Sequence, residues 1–220
     1  HADKFRMLMK VGIPTSIQNV AVNISFLVMT GLVNSFGVKA SAALGVISKY
    51  NSFAILPAIA VGSSVSAMVA QNIGAGEIKR AQHTMYIGIA VALGISLPIF
   101  TITQMFPEQI IAVFDNDPEM IKAGVTYLNT LSLDYIIVPL IFCINGLITG
   151  AGHTTFASIT GIMSALLLRV PAAYIFGLKF DWGLMGIGLA APVASLGSTA
   201  LATAYYLSGK WKISTVIKKS

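Results

Sequence analysis

The chain has 220 residues, of which 55% are apolar and only 10% charged, and it carries a net charge of +6. Its mean hydropathy is +0.80. Soluble domains carry about 25% charged residues, so this composition excludes an ordinary soluble fold and points to a chain solvated by lipid. The positive charge does not indicate nucleic acid, because the basic residues stand at the ends of apolar runs, where they orient membrane spans.

Six apolar segments follow one another, at about 11–36, 41–70, 84–106, 123–148, 156–178 and 184–207. Each is long enough to cross a bilayer, which takes ~20 residues. The expected fold is all-α, a polytopic membrane bundle of six transmembrane helices in one unit. The chain opens His1-Ala2-Asp3-Lys4, with no initiator methionine and no apolar leader, and is expected to be a processed chain or a fragment. Every segment holds one proline: Pro14, Pro57, Pro98, Pro139, Pro171 and Pro192. Membrane helices accept proline because packed neighbours satisfy the freed carbonyls. The pattern fits either curved helices around a cavity or simple tolerance.

Small residues recur at helical spacing. Ala58, Gly62, Ser66 and Ala70 make one stripe, Ala190, Ala194, Ser198 and Ala202 another, and Gly146 with Gly150 a GxxxG pair. Such stripes let helix backbones approach in lipid and predict a compact bundle. Two short polar stretches, Gly74-Ala75-Gly76 and Gly150-Ala151-Gly152, read as tight hairpins between spans. Neither continues into Gly-Lys-Ser/Thr, so neither is a phosphate cradle.

Six spans return both termini to one side. That side carries Lys4, Arg6, Lys10, Lys79, Arg80, Lys210, Lys212, Lys218 and Lys219, against Lys39, Lys122 and Lys179 on the other. The asymmetry places both termini in the cytoplasm of a multi-pass protein of the bacterial cytoplasmic membrane. The longest outer connection holds Asp115, Asp117 and Glu119. It lacks the glycine and spacing of a calcium loop, and Asp117 before Pro118 reads as a helix cap.

Three ionisable residues fall inside spans: Lys49, Asp134 and Arg169. Intramembrane charges are expensive and mark function or a partner. Asp134 is read either as part of an ion pair with Lys49 or Arg169, or as a group on a cation or proton path. Gln18, Asn19, Asn23 and Asn145 add polar groups that either bond helix to helix or line a wet cavity. There is no His-Glu-x-x-His, no Gly-x-Ser-x-Gly and no Cys/His cluster. An enzyme or a metal site is therefore not expected. The lone Cys143 reads as a small buried residue.

Several motifs carry a resemblance. Lys10-Val11-Gly12-Ile13-Pro14 opens the first span and Val33-Asn34-Ser35-Phe36-Gly37 closes it. Gln71-Asn72-Ile73-Gly74-Ala75-Gly76 with Arg80-Ala81 follows the second. Asn145-Gly146-Leu147-Ile148-Thr149-Gly150-Ala151-Gly152-His153-Thr154 closes the fourth. Over nearly its whole length the chain resembles the C-terminal six-helix lobe of a multidrug and toxic compound extrusion (MATE) transporter. The resemblance implies export of small cationic, amphipathic compounds in exchange for Na+ or H+, with no cofactor. It implies as partners membrane lipid and an N-terminal lobe of similar size. It also implies that two acids of one branch of the family fall at Val22 and Val138, and that Lys49 stands where relatives often carry arginine. Two alternatives stay open: a lipid-linked oligosaccharide flippase of the same superfamily, and a non-transporting membrane scaffold.

Overall fold

A computed structural model describes residues 2–213, with the side chains of residues 2–8, 10 and 11 excluded. The side chains of the orienting charges Lys4, Arg6 and Lys10 fall among those excluded, and Lys218 and Lys219 lie outside the described residues. The described residues form helices and turns only. In order these are α1 (Ala2–Asn34), α2 (Val38–Gly74), α3 (Ile78–Met105), the short α4 (Pro107–Ala112), α5 (Pro118–Leu131) and α6 (Asp134–Gly150). Two long helices complete the bundle, α7 (Thr154–Lys179) and α8 (Gly183–Leu207).

Five helices are long and apolar enough to cross a membrane, and α5 with α6 makes a sixth span if the bent pair counts as one. The fourth span thus differs from the single segment expected at 123–148. It begins at Pro118 and breaks after Leu131. Large apolar side chains face outward as well as inward, Leu27 and Phe53 among them. That distribution suits lipid on the outside, where backbone must be satisfied within each helix.

The two Gly-Ala-Gly stretches end α2 and α6 in the same way. Gly76 and Gly152 take positive φ of 79° and 95°. Glu77 N–H donates to the Asn72 carbonyl at 2.8 Å, and His153 N–H to the Ile148 carbonyl at 3.0 Å. This six-to-one bond with a left-handed glycine is the Schellman ending, and it turns the chain sharply while occupying the last carbonyls. At the opposite end Asp117 caps α5, accepting from Glu119 N–H and Met120 N–H at 3.0 Å each. Its other oxygen pairs with Lys39 at the start of α2.

α2 and α6 pack backbone to backbone along the small-residue seam. A Cβ added at Gly62 would lie 2.9 Å from the Phe142 carbonyl oxygen, and one at Gly146 would lie 2.6 Å from the Gly62 carbonyl oxygen. Apolar cores then fill the two ends. One gathers Met29, Ile47, Ile111, Leu128 and Ile187. The other gathers Val69, Met85, Leu147, Ile148 and Trp211. Trp211, just past α8, is fully buried and stacks on Tyr206.

Two tests follow from this packing. Gly146→Val should lower the stability of the detergent-solubilised protein by roughly 1–3 kcal/mol, because the contact is backbone and cannot swing aside. Gly45→Ala, where nothing lies within 4 Å of the added Cβ, should be neutral or stabilise by roughly 0.5–1 kcal/mol. Equal melting points for the two variants would contradict the seam. The second test is at Asp117. Lys39, then the N–H groups of Met120 and Glu119, hold its carboxyl below the usual carboxylate range. A lowered folded value means the stabilisation is complete above the ordinary range and lost as pH falls through the lowered value. The melting-point gap between the native chain and Asp117→Asn should stay constant above that range and close as pH drops below it. A gap that widens on acidification would contradict the assignment.

Candidate functional site

A carboxylate enters the middle of the bundle at the break between α5 and α6, whose axes differ by 42°. No proline or glycine sits at Ser132-Leu133. The Asn129 carbonyl beside the break accepts from Gln104 Nε2 at 2.8 Å and from Ser132 Oγ at 3.1 Å. Gln104 Nε2 also donates to Ser132 Oγ at 2.8 Å. A side chain from α3 therefore serves backbone that the interrupted ladder cannot, which makes the break tolerable in a lipid-solvated helix. Asp134 becomes the first residue of α6. The positive end of the helix dipole favours a negative charge there.

A second irregularity faces the first. Within α7, residues Met163–Arg169 and Ile175–Lys179 form wide π turns. Pro171 lies between them and has no N–H to give its helical acceptor, and widening to i→i+5 pairing lets the carbonyls find donors one residue on. Arg169 closes the first wide stretch. Gly161, two residues before that stretch begins, has Gln18 of α1 lying across its Cα, where any side chain would collide.

These elements border an open cavity of about 290 Å³. Gln18 and Val22 line it from α1, Asp134, Val138 and Asn145 from α6, Ser164 and Arg169 from α7, and Ala194, Ser195 and Ser198 from α8. Arg169 is close enough to attract Asp134, and Ser195 adjoins the same carboxyl. The guanidinium also reaches toward the Tyr127 hydroxyl. Among the described residues, however, the one ion pair is Lys39–Asp117, so Asp134 and Arg169 stand apart. Ser164 Oγ is occupied, donating to the Ala194 carbonyl at 2.9 Å. Asp134 Oδ1, Asn145 Oδ1 and Arg169 Nε are buried and have no hydrogen-bond partner.

The structure brings Gln18, Asp134, Asn145 and Arg169 together and leaves three other candidates elsewhere. Lys49 is exposed on α2 and makes no ion pair, so the pairing with Asp134 read from sequence is not formed. Asn19 and Asn23 are exposed on α1, and Asn23 Nδ2 donates to the Asn19 carbonyl at 2.8 Å. Val22 and Val138, where the resemblance sets acids, both face the cavity. Ser164, Ser195 and Ser198 escaped the sequence reading. Ser198 was visible there only as a packing residue in a small-residue stripe. Among the described residues no three His, Cys, Asp or Glu side chains gather as a metal site.

A family model described as MatE matches residues 14–175. The probable multidrug resistance protein YpnP of Bacillus subtilis (strain 168) is 29% identical over 207 residues, covering 94% of this chain and 46% of the relative. The probable multidrug resistance protein NorM of Thermotoga maritima is 24% identical over 214 residues, covering 96% of this chain and 46% of the relative. Among solved structures, the outward-facing conformation of a multidrug resistance MATE family transporter of the MOP superfamily superposes with a TM-score of 0.85 at 19% identity. That match covers 96% of this chain and 47% of the other. The chain spans about half the length of the curated relatives it matches.

Proposed function

The chain belongs to the MatE family, and on that premise we propose that it is the C-terminal lobe of a secondary transporter that exports small cationic, amphipathic compounds in exchange for Na+ or H+. The observation that carries this reading is the polar cavity with its buried carboxylate, set among helices whose outer faces are apolar. Such a site inside a bundle gives a permeating solute or ion somewhere to pause. Transport then needs a second lobe to rock against, because alternating access moves one bundle relative to another around the site. The lysine and arginine distribution supports a cytoplasmic-membrane protein with both termini inside. Likeness to probable multidrug resistance proteins supports drug export over the flippase and scaffold alternatives.

The test is reconstitution. The chain together with its complementary lobe should move ethidium into liposomes against an imposed Na+ or H+ gradient, and the chain alone should not. Gradient-driven uptake by the monomeric chain would refute the two-lobe requirement, and no uptake by the assembled pair would refute transport. In the assembled protein, Asp134→Asn should abolish coupling and leave expression near normal if the carboxylate lies on the ion path. Loss of folded protein, recovered by adding Arg169→Met, would mark the residue as structural instead.

Orientation has its own measurement. Cysteines placed at His83 and Asn116 should label oppositely with a membrane-impermeant thiol reagent in intact cells, the second from outside. Labelling of both from outside would overturn the assigned topology.

A further inference from the structure

A groove of about 360 Å³ runs between α2 and α3. It arises from a mismatch in side-chain size. Val65 and Gly88 make its floor, and the helices close there because Gly88 has no Cβ to strike Val65 Cγ2. Above the floor, Ala60 and Ser64 of α2 are too short to fill the space beside Ile87 and Val91 of α3. Met68, Ile87 and Val91 stand about half exposed along it. The polar atoms of the lining are already spent. Ser64 Oγ donates to the Ala60 carbonyl at 2.9 Å. Thr84 Oγ1 donates to the Arg80 carbonyl at 2.9 Å and accepts from Asn72 Nδ2 at 3.3 Å. A polar ligand finds no open hydrogen-bond partner here, so the groove suits hydrocarbon. α2 presents Ile55 to the polar cavity, and Ile55 lies about 150° around the helix from the middle of the groove, at ~100° per residue. The groove therefore faces away from that cavity, and its apolar rim suits the bilayer.

One end of the groove is charged. Arg80, Thr84, Ile87 and Val91 recur at spacings of four, three and four, which puts them on one face of α3. Arg80 thus stands one turn, ~6 Å along the axis, beyond Thr84 and in line with the groove. Lys79 adjoins it. Both are exposed, and neither makes an ion pair among the described residues. With Glu77 included, the hairpin still carries a net positive charge. An apolar groove that ends at an unpaired cation matches a molecule with a hydrocarbon chain and an anionic head. A cationic amphiphile would bring its charge against Arg80, and a free anion would leave the groove empty. We propose that the α2–α3 groove binds an anionic phospholipid of the leaflet beside the hairpin, one acyl chain lying against Ser64, Ile87 and Val91 and the phosphate held by Arg80 and Lys79. Long basic side chains reach the headgroup level while their stems cover apolar surface. Anionic lipid is drawn to such juxtamembrane charges, and the lysine and arginine distribution assigns this hairpin to the cytoplasmic leaflet, where that lipid is found. The site needs the membrane placement of α2 and α3 and does not depend on what the protein transports.

Native mass spectrometry tests it. The assembled protein, stripped of lipid in detergent, is titrated with phosphatidylglycerol or with phosphatidylcholine of the same acyl chains. Phosphatidylglycerol should bind about fivefold or more tightly, the factor expected of one basic side chain at a membrane surface. Arg80→Gln should remove that preference. Lys210→Gln takes a charge from the same side of the membrane and should keep it. Ser64→Phe fills the groove and should weaken retention of phosphatidylglycerol about fivefold or more with Arg80 intact, because the chain loses its apolar seat. All three positions are exposed, and an unchanged melting point confirms folding. If Ser64→Phe fails to fold, the native preference and the comparison of Arg80→Gln with Lys210→Gln decide. Inorganic phosphate at millimolar concentration should not displace the lipid. Equal binding of the two lipids, an Arg80→Gln variant that behaves like Lys210→Gln, full retention by folded Ser64→Phe, or displacement by phosphate would each overturn the proposal. A groove filled by the complementary lobe would show as no preferential binding at all, which overturns it as well.

Discussion

Lipid offers a backbone nothing to bond to, and that constraint organises this structure. Every spanning segment is helical, so its N–H and C=O groups are spent internally. Irregular backbone is tolerated only where the freed groups find partners, from another helix or from a changed spacing within their own. Among the described residues two places meet that condition, the break before Asp134 and the wide turns before and after Pro171. Gln104 serves the first from α3. The second serves itself by changing its hydrogen-bond spacing. Both departures border the same cavity, so irregularity and polarity coincide in space.

The glycine seam has a different role. Between helices in lipid there is little hydrophobic drive to associate, and close van der Waals packing has to replace it. Gly62 against Phe142 and Gly146 against Gly62 bring α2 and α6 to backbone contact. That contact fixes the height and rotation of α6, and with them the depth at which Asp134 and Asn145 stand. The two apolar cores at either end hold the rest of the bundle around it. Packing thus positions polar groups that make few bonds to one another.

Much of this was legible in the sequence, and the reasons differ by residue. Gly76 and Gly152 were legible because only a residue without a Cβ turns so tightly after an apolar run. Asp117 was legible because it precedes Pro118, and the cap is present. Asp134 and Arg169 stood out because charge is rare in lipid-facing sequence. The break at Ser132-Leu133 left no trace, since neither residue is a helix breaker and its support comes from Gln104, far along the chain. Ser198 was equally hidden, because a hydroxyl in a stripe of small residues looks like packing until its neighbours are known. Lys49 shows the reverse: its position in the sequence suggested a partner for Asp134, and the fold turns it to an exposed face.

The wide turns of α7 have a consequence for membrane fit. A regular α-helix of its 26 residues would be about 39 Å long at 1.5 Å per residue. The hydrocarbon core is about 30 Å thick. A π turn holds more residues in each revolution and advances less per residue, so α7 is shorter than its residue count implies. A span that would otherwise have to tilt to hide its excess length can stand more upright. Its two wide stretches therefore act as slack taken up within the helix, and they absorb part of the excess length that tilt would otherwise have to hide.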